Sequence, residues 1–181
     1  MTQQLWLAVL SSSVISGAIG ALIAGFFSIR VSQRNFKNDY FKTVLQKRIT
    51  AYEELEKLAH AFKTSVMDAD RKPYHLPFSK DDDYEFAHTL VFKVMMQSLW
   101  ISEEAFCKIR DLSDLLYRLQ PSENNGAIEF GKKNYEKIAL LRGDLETIIA
   151  NDMLTLHEVK RFLKQKKKDS VARNKIVERV F

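Results

Sequence analysis

The sequence predicts an all-α chain in which one N-terminal transmembrane helix is followed by an antiparallel helical bundle with a coiled-coil-like first helix. Three observations predict it. The twenty-five residues from Leu5 to Ile29 contain no charged side chain. Beyond them, apolar residues recur at three- and four-residue intervals, with neither strand alternation nor a hairpin signal. The 181 residues include only three prolines and six glycines, and three of those glycines (Gly17, Gly20, Gly25) lie within the uncharged run.

The first element, residues 1–30, reads as a membrane span. At about 1.5 Å per residue the run would reach roughly 37 Å, against a hydrocarbon core of about 30 Å, so it would cross with some tilt. A cleaved secretory signal is the rival reading. It fits less well, since such signals need a basic N-terminal region, a shorter apolar core and a small-residue cleavage site. Arg30, Arg34 and Lys37 follow the run directly, with Lys42, Lys47 and Arg48 beyond. By the positive-inside rule the C-terminal side is cytoplasmic and the N-terminus lies outside the inner (plasma) membrane, with Trp6 as an interfacial anchor.

Small residues within the run form two adjoining ladders. Ser12, Ser16, Gly20, Ala24 and Ser28 recur every fourth position, and Ser13, Gly17, Ala21 and Gly25 follow one residue along. Such strips let two backbones approach closely and gain contacts that lipid would not supply. Ser16, Gly17, Gly20, Ala21, Ala24 and Gly25 are the expected association face, with a homo-oligomer as its product.

Residues 31–67 form the juxtamembrane coiled-coil-like helix. Phe41, Leu45, Tyr52, Leu55, Ala59, Phe62 and Val66 keep a three-four alternation, broken where Arg48 takes a core-type slot. The stripe fits either the inner face of an intramolecular bundle or a parallel stalk between chains. Residues 68–83, with Pro73 and Pro77, read as a loop. There Ser79 and Asp82 resemble an N-terminal cap, and Asp81 to Asp83 suit the positive end of the next helix.

Residues 84–156 read as the helical bundle. The first stretch, Tyr84 to about Leu119, carries Phe86, Leu90, Val94, Ile109, Leu112 and Leu116; Ser102 followed by Glu103 and Glu104 predicts a break and restart. Pro121, Ser122, Asn124, Asn125 and Gly126 mark a turn. A further helix is expected from about Ile128 to Ile149, and a last one near Asn151. Cys107 is the only cysteine, so the chain can form neither an internal disulfide nor a cysteine-rich zinc site.

Residues 157–181 form a basic C-terminal helix or tail. Nine basic residues face three acidic ones there, a net +6 in a chain of net +5, so everything else is close to neutral. For a membrane-tethered protein the nearest polyanion is the lipid headgroup layer. Lys160, Arg161, Lys164, Lys166, Lys167 and Lys168 are the expected anionic-surface residues. The bland alternative is a solvated helix end, and nucleic acid or an acidic protein is a lesser candidate, since no aromatic-interleaved reading motif accompanies the lysines. Ile176, Val177, Val180 and Phe181 could dock the tail on the bundle or on a partner.

Catalytic motifs are thin. Glu85 and His88 have the Glu-x-x-His spacing of di-iron bundles, but only one copy is present, and Glu56 with His60 is an ordinary helical pair. The acid triplet lacks a calcium loop's glycine and terminal glutamate, and Gly131 before two lysines lacks the spacing of a phosphate loop. The expectation is therefore no enzyme, no cofactor and no metal, with function through protein–protein contact: a scaffold, adaptor or signalling module with a cytoplasmic protein partner. In layout the chain resembles small single-pass effectors of bacterial phage-defence systems. That resemblance covers architecture alone and implies a self-associating, membrane-perturbing alternative. A helical metalloenzyme on Glu85 and His88 is the third class.

Overall fold

The computed structural model describes residues 2–79, 83–117 and 126–180, and within these the side chains of residues 2, 5, 9–15, 83–84 and 170–180 are not described. The described chain is mostly helical. Its elements are α1 (Thr2–Ala61), β1 (Ser65–Met67), β2 (Pro73–His75), a 3-10 turn (Leu76–Phe78), α2 (Asp83–Met96), α3 (Glu103–Leu116), α4 (Gly126–Lys133), α5 (Tyr135–Leu154) and α6 (Val159–Val180).

The chain divides into two units, Met1–Thr43 and Val44–Phe181. The described part of the first is helix, and its described apolar side chains, apart from the half-buried Phe41, are exposed: Leu22 by 74%, Phe26 by 59% and Phe36 by 77%. Among the described residues no helix is long and apolar enough to cross a membrane. The side chains of Leu5 and of residues 9–15, a third of the uncharged run, lie outside that description. What the fold bears out is the all-α class.

The second unit has a continuous core. The end of α1 and the residue after it turn Arg48, Ala51, Tyr52, Leu55, Leu58, Ala59 and Phe62 inward. The three-four stripe is thus an intramolecular bundle face over this length, because its hydrophobes are buried by the chain's own helices. Val91 and Val94 of α2, Ile109, Leu112 and Leu116 of α3, and Ile138, Leu145 and Ile148 of α5 complete the cluster. Helix α3 packs on both α2 and α5. Ser102 caps α3 by accepting the Ala105 amide at 3.1 Å, with Glu103 and Glu104 in its first turn, so the break foreseen from Ser-Glu-Glu is present.

Several local readings are corrected. The helix read over residues 31–67 ends with α1 at Ala61, so Val66, the last residue of its stripe, lies on β1. Within the stretch read as 68–83 loop, β2 pairs antiparallel with β1 in the register Ser65↔His75, Val66↔Tyr74 and Met67↔Pro73. Three-residue strands are too short to show alternation, and Pro73 stands at a strand start, where its missing amide costs little. The segment also feeds the core with Tyr74, His75 and Phe78. The turn between the strands carries Arg71 at φ 60°, with Asp70 accepting the Lys72 amide at 3.0 Å. The single helix expected from Ile128 to Ile149 is two, α4 and α5, parted at Asn134, and because α5 runs on to Leu154 the last helix starts at Val159 rather than near Asn151. Ser79 closes the 3-10 turn, its amide donating to the Leu76 carbonyl at 2.9 Å, while Asp82 of the expected cap and the turn at 121–125 lie outside the described residues.

Candidate functional site

The most unusual position in the second unit is Arg48, 3% exposed on an otherwise apolar face of α1. Its Nη1 donates to the Leu156 carbonyl at 2.7 Å, and its guanidinium carbon lies 4.0 Å from the Phe162 ring centroid. Position 48 recurs on the core stripe because it lies four residues before Tyr52 and seven before Leu55. Phe162 reaches it from α6, immediately after the α5–α6 turn that presents Leu156.

Beside Arg48 opens a polar cavity of about 250 Å³, bordered by α1, the start of α3, the end of α5 and the first three turns of α6. Tyr52 buttresses it by donating to Asp152 Oδ2 at 2.6 Å while accepting the Ser102 amide at 3.2 Å. Burial, reinforced by the Asp152 carboxylate, pushes the Tyr52 hydroxyl up to about 12. Arg161 pairs with Glu158 at 3.0 Å. Two buried polar atoms on this wall, Arg48 Nε and Asp169 Oδ2, have no partner among the described residues.

The expected basic residues separate into two kinds. Lys160, Lys164, Lys167 and Lys168 are exposed, at i, i+4, i+7 and i+8 along one side of α6. Arg161 is exposed but tied to Glu158. Lys166 turns the other way: its side chain is 16% exposed, its Nζ donates to the Ser98 carbonyl at 2.9 Å, and Glu103 stands 3.8 Å off. Residue 166 lies four after Phe162 and three before Asp169, so helical geometry puts it on the inward side. The side chains of Arg173, Lys175, Ile176, Val177, Arg179 and Val180, and the whole of Phe181, lie outside the described residues.

Of the small-residue face, Gly17, Gly20 and Gly25 have nothing within 4 Å of an added Cβ, and Ser16, Ala21 and Ala24 are exposed with them. Glu85 is exposed and His88 half-buried beside Phe92, Met95 and Ser113. Glu56 and His60 border a separate, largely apolar groove with Phe86 and Leu90. Among the described residues no group of three His, Cys, Asp or Glu side chains could hold a metal ion. Cys107 is half-buried.

A second buried polar centre is structural in its contacts. His75, 1% exposed, stacks on Tyr135 with centroids 4.6 Å apart, and its Nε2 lies 3.2 Å from the Tyr135 carbonyl. Burial holds its pKa below the ordinary histidine value, and nearby Arg142 acts in the same sense. Lys132, in contrast, gathers Asp70 at 3.2 Å and Glu129 at 2.8 Å together with Asp68, joining α4 to the hairpin turn. The lysine's hydrogen bond holds the Asp68 carboxyl below its ordinary value, while at Asp70 the Lys72 amide contributes most. Sequence reasoning passed over the cavity because its lining comes from four separated segments; the one local signal was an arginine in a core slot. No family model, curated protein or solved structure matches the chain.

Proposed function

We propose that this protein is a single-pass, membrane-anchored helical module of the inner membrane, with its N-terminus outside, its bundle in the cytoplasm, and its action exerted through contacts with other proteins rather than catalysis. The observation that carries the reading is the uncharged run Leu5–Ile29 followed by Arg30, Arg34 and Lys37. Supporting it, Ile19, Leu22, Ile23, Phe26, Phe27 and Ile29 are each more than half exposed along the described part of that run. An apolar surface of this extent calls for a cover, and lipid suits its uniform lack of charge. The exposed lysine side of α6 supplies a natural contact for anionic headgroups.

The test is alkaline extraction of isolated membranes combined with protease access from each side. The tagged full-length chain should stay in the membrane pellet, and its C-terminal tag should be cleaved only when the inner face is open. Release into the supernatant would overturn the anchor.

A second reading, the self-associating membrane-perturbing effector, is favoured by the open glycine surface at Gly17, Gly20 and Gly25. Gly20→Leu should abolish crosslinked oligomers and any toxicity of overexpression together under that reading. An anchor that serves only a docking bundle would keep partner binding through the same change.

A further inference from the structure

Lipid accounts for the apolar surface of α1 only as far as the uncharged run extends. Phe36 is 77% exposed and Tyr40 48% exposed, and both stand beyond Arg30 and Arg34. At about 1.5 Å per residue they lie roughly 10 and 16 Å past Ile29, farther than the roughly 5–8 Å of headgroup layer on either side of the hydrocarbon. Two large rings set among Arg34, Lys37, Asp39 and Lys42 therefore call for another cover.

The same two residues end a regular series. Ile19, Leu22, Phe26, Ile29, Gln33, Phe36 and Tyr40 follow one another at alternating steps of three and four. All seven are exposed, and six are large and apolar. Ile19, Phe26, Gln33 and Tyr40 thus occupy the a positions of a strict heptad repeat, with Leu22, Ile29 and Phe36 at d. On a straight helix such a stripe drifts by about 20° per heptad, and it stays aligned only where the helix winds round another. The next slots hold Thr43, Lys47 and Thr50, so the series stops at Tyr40, beside the end of the first unit at Thr43. It is separate from the stripe of Tyr52, Leu55 and Phe62, which the core of the second unit covers. It also lies on roughly the opposite side of the helix from Gly17, Gly20 and Ala24.

We propose that residues 19–40 of α1 form a parallel, in-register, two-stranded coiled coil with a second copy of this chain. The direction rests on the membrane anchor proposed above, since one membrane holds the N-termini of both copies on the same side. In that register Arg30, at an e position, comes opposite Gly25 of the other copy at g, and Lys37 opposite Ser32, so these cations meet no like charge across the seam. The area suffices as well. At roughly 100 Å² for each half-exposed large side chain, the two seams bury on the order of 1,200 Å², above the roughly 1,000 Å² that a specific interface needs. Gln33 adds selection, because a polar residue at a single a position fixes register and strand number at some cost in stability.

The experiment uses the full-length chain carrying Cys107→Ser, which leaves no native thiol. Single cysteines are introduced on the seam by Gln33→Cys, Phe36→Cys and Tyr40→Cys, and on the far side by Asn35→Cys and Asn38→Cys. Isolated membranes are oxidised and the products separated under denaturing conditions. The seam variants should form disulfide-linked dimers at least about tenfold more efficiently than the far-side ones, because only on the seam do facing Cβ atoms come within bridging distance. Self-crosslinking at both 33 and 40, one heptad apart, requires parallel chains in register. Adding Gly20→Leu should leave these yields unchanged, unlike pairing along the small-residue face. In mild detergent the parent should have the mass of two chains, and the double variant Phe36→Lys, Tyr40→Lys that of one, while both stay in the membrane pellet on alkaline extraction. The proposal is overturned if the far-side variants crosslink as well as the seam variants, if Gly20→Leu abolishes the seam crosslinks, or if the parent particle holds one chain or more than two. Release of the parent by alkali would instead defeat the anchor, and the crosslink pattern would still decide whether the seam pairs.

Discussion

Tyr52 shows how a single side chain ties three elements. It donates to Asp152, accepts from Ser102 and fills the core, so Tyr52→Phe removes both polar links while keeping the ring. The cost should be about 1–3 kcal/mol, because the Ser102 amide and one Asp152 oxygen lose a partner. A pH signature accompanies it. The hydroxyl is ordinarily near 10 and is raised to about 12, so the folded state favours the protonated form. Its contribution is complete below pH 10 and is lost as pH climbs through 12; denaturant titrations should show that alkaline decline in the parent and a shallower one in Tyr52→Phe. His75 works at the acid end. Its folded pKa is depressed by burial, so the unfolded chain binds protons more readily, and stability should fall as pH drops below 6.5 towards the depressed value. His75→Phe, which cannot titrate, should flatten that acid limb. Neither role was legible in the sequence: Tyr52 looked like one more stripe residue, and His75 lay in a presumed loop. Their partners, at 152 and 135, are remote in the chain. Arg48 was legible as an anomaly, since a charged residue in a core slot is visible from spacing alone, but its contacts with the Leu156 carbonyl and the Phe162 ring were not.

At the scale of elements, what could be read follows from how local each signal is. The inner face of α1 and the start of α3 are written in contiguous residues, through three-four spacing and through Ser102 with its two glutamates, and both are present in the fold. The β1–β2 hairpin is not, because strands of three residues carry no periodicity and draw their stability from what lies beneath them. The short helix α4 covers this region, packing on β2 and the 3-10 turn. Gly131 makes that packing possible. A Cβ there would stand 3.0 Å from Phe78 Cδ2 and 3.1 Å from Phe78 Cβ, the latter fixed to the backbone. Gly131→Ala should therefore destabilise the second unit by about 1–3 kcal/mol through overpacking, against the usual gain of alanine over glycine in a helix. Pairing the substitution with Phe78→Leu should recover part of the loss in a double-mutant cycle, since the smaller side chain gives the new methyl group room. Additive losses would show that the clash lies with the Phe78 Cβ, which leucine retains, rather than with the ring.

For the whole molecule, the decisive quantity is where charge is placed rather than how much there is. The tail's net +6 reads as one basic block in sequence, yet α6 divides it by angle: Lys160, Lys164, Lys167 and Lys168 face solvent, whereas Lys166 is held against Ser98 and Glu103. Surface binding and fold stability should consequently separate by mutation. With about 1 kcal/mol per basic residue near an anionic surface, replacing the four exposed lysines by glutamate should lower binding of the unit 44–181 to phosphatidylserine-containing vesicles by at least about a hundredfold. Its unfolding midpoint should scarcely move, because exposed surface charges contribute little to stability. Lys166→Ala should do the opposite. It removes the Ser98 hydrogen bond and the neighbouring charge for Glu103, lowering stability while leaving all four exposed lysines in place. Raising the salt concentration should weaken vesicle binding of the parent and change the Lys166→Ala stability defect far less, as screening acts mainly on exposed charges. Equal binding to neutral vesicles, or a binding loss for Lys166→Ala as large as for the fourfold reversal, would remove the headgroup role from α6 and leave its lysines as a solvated helix face.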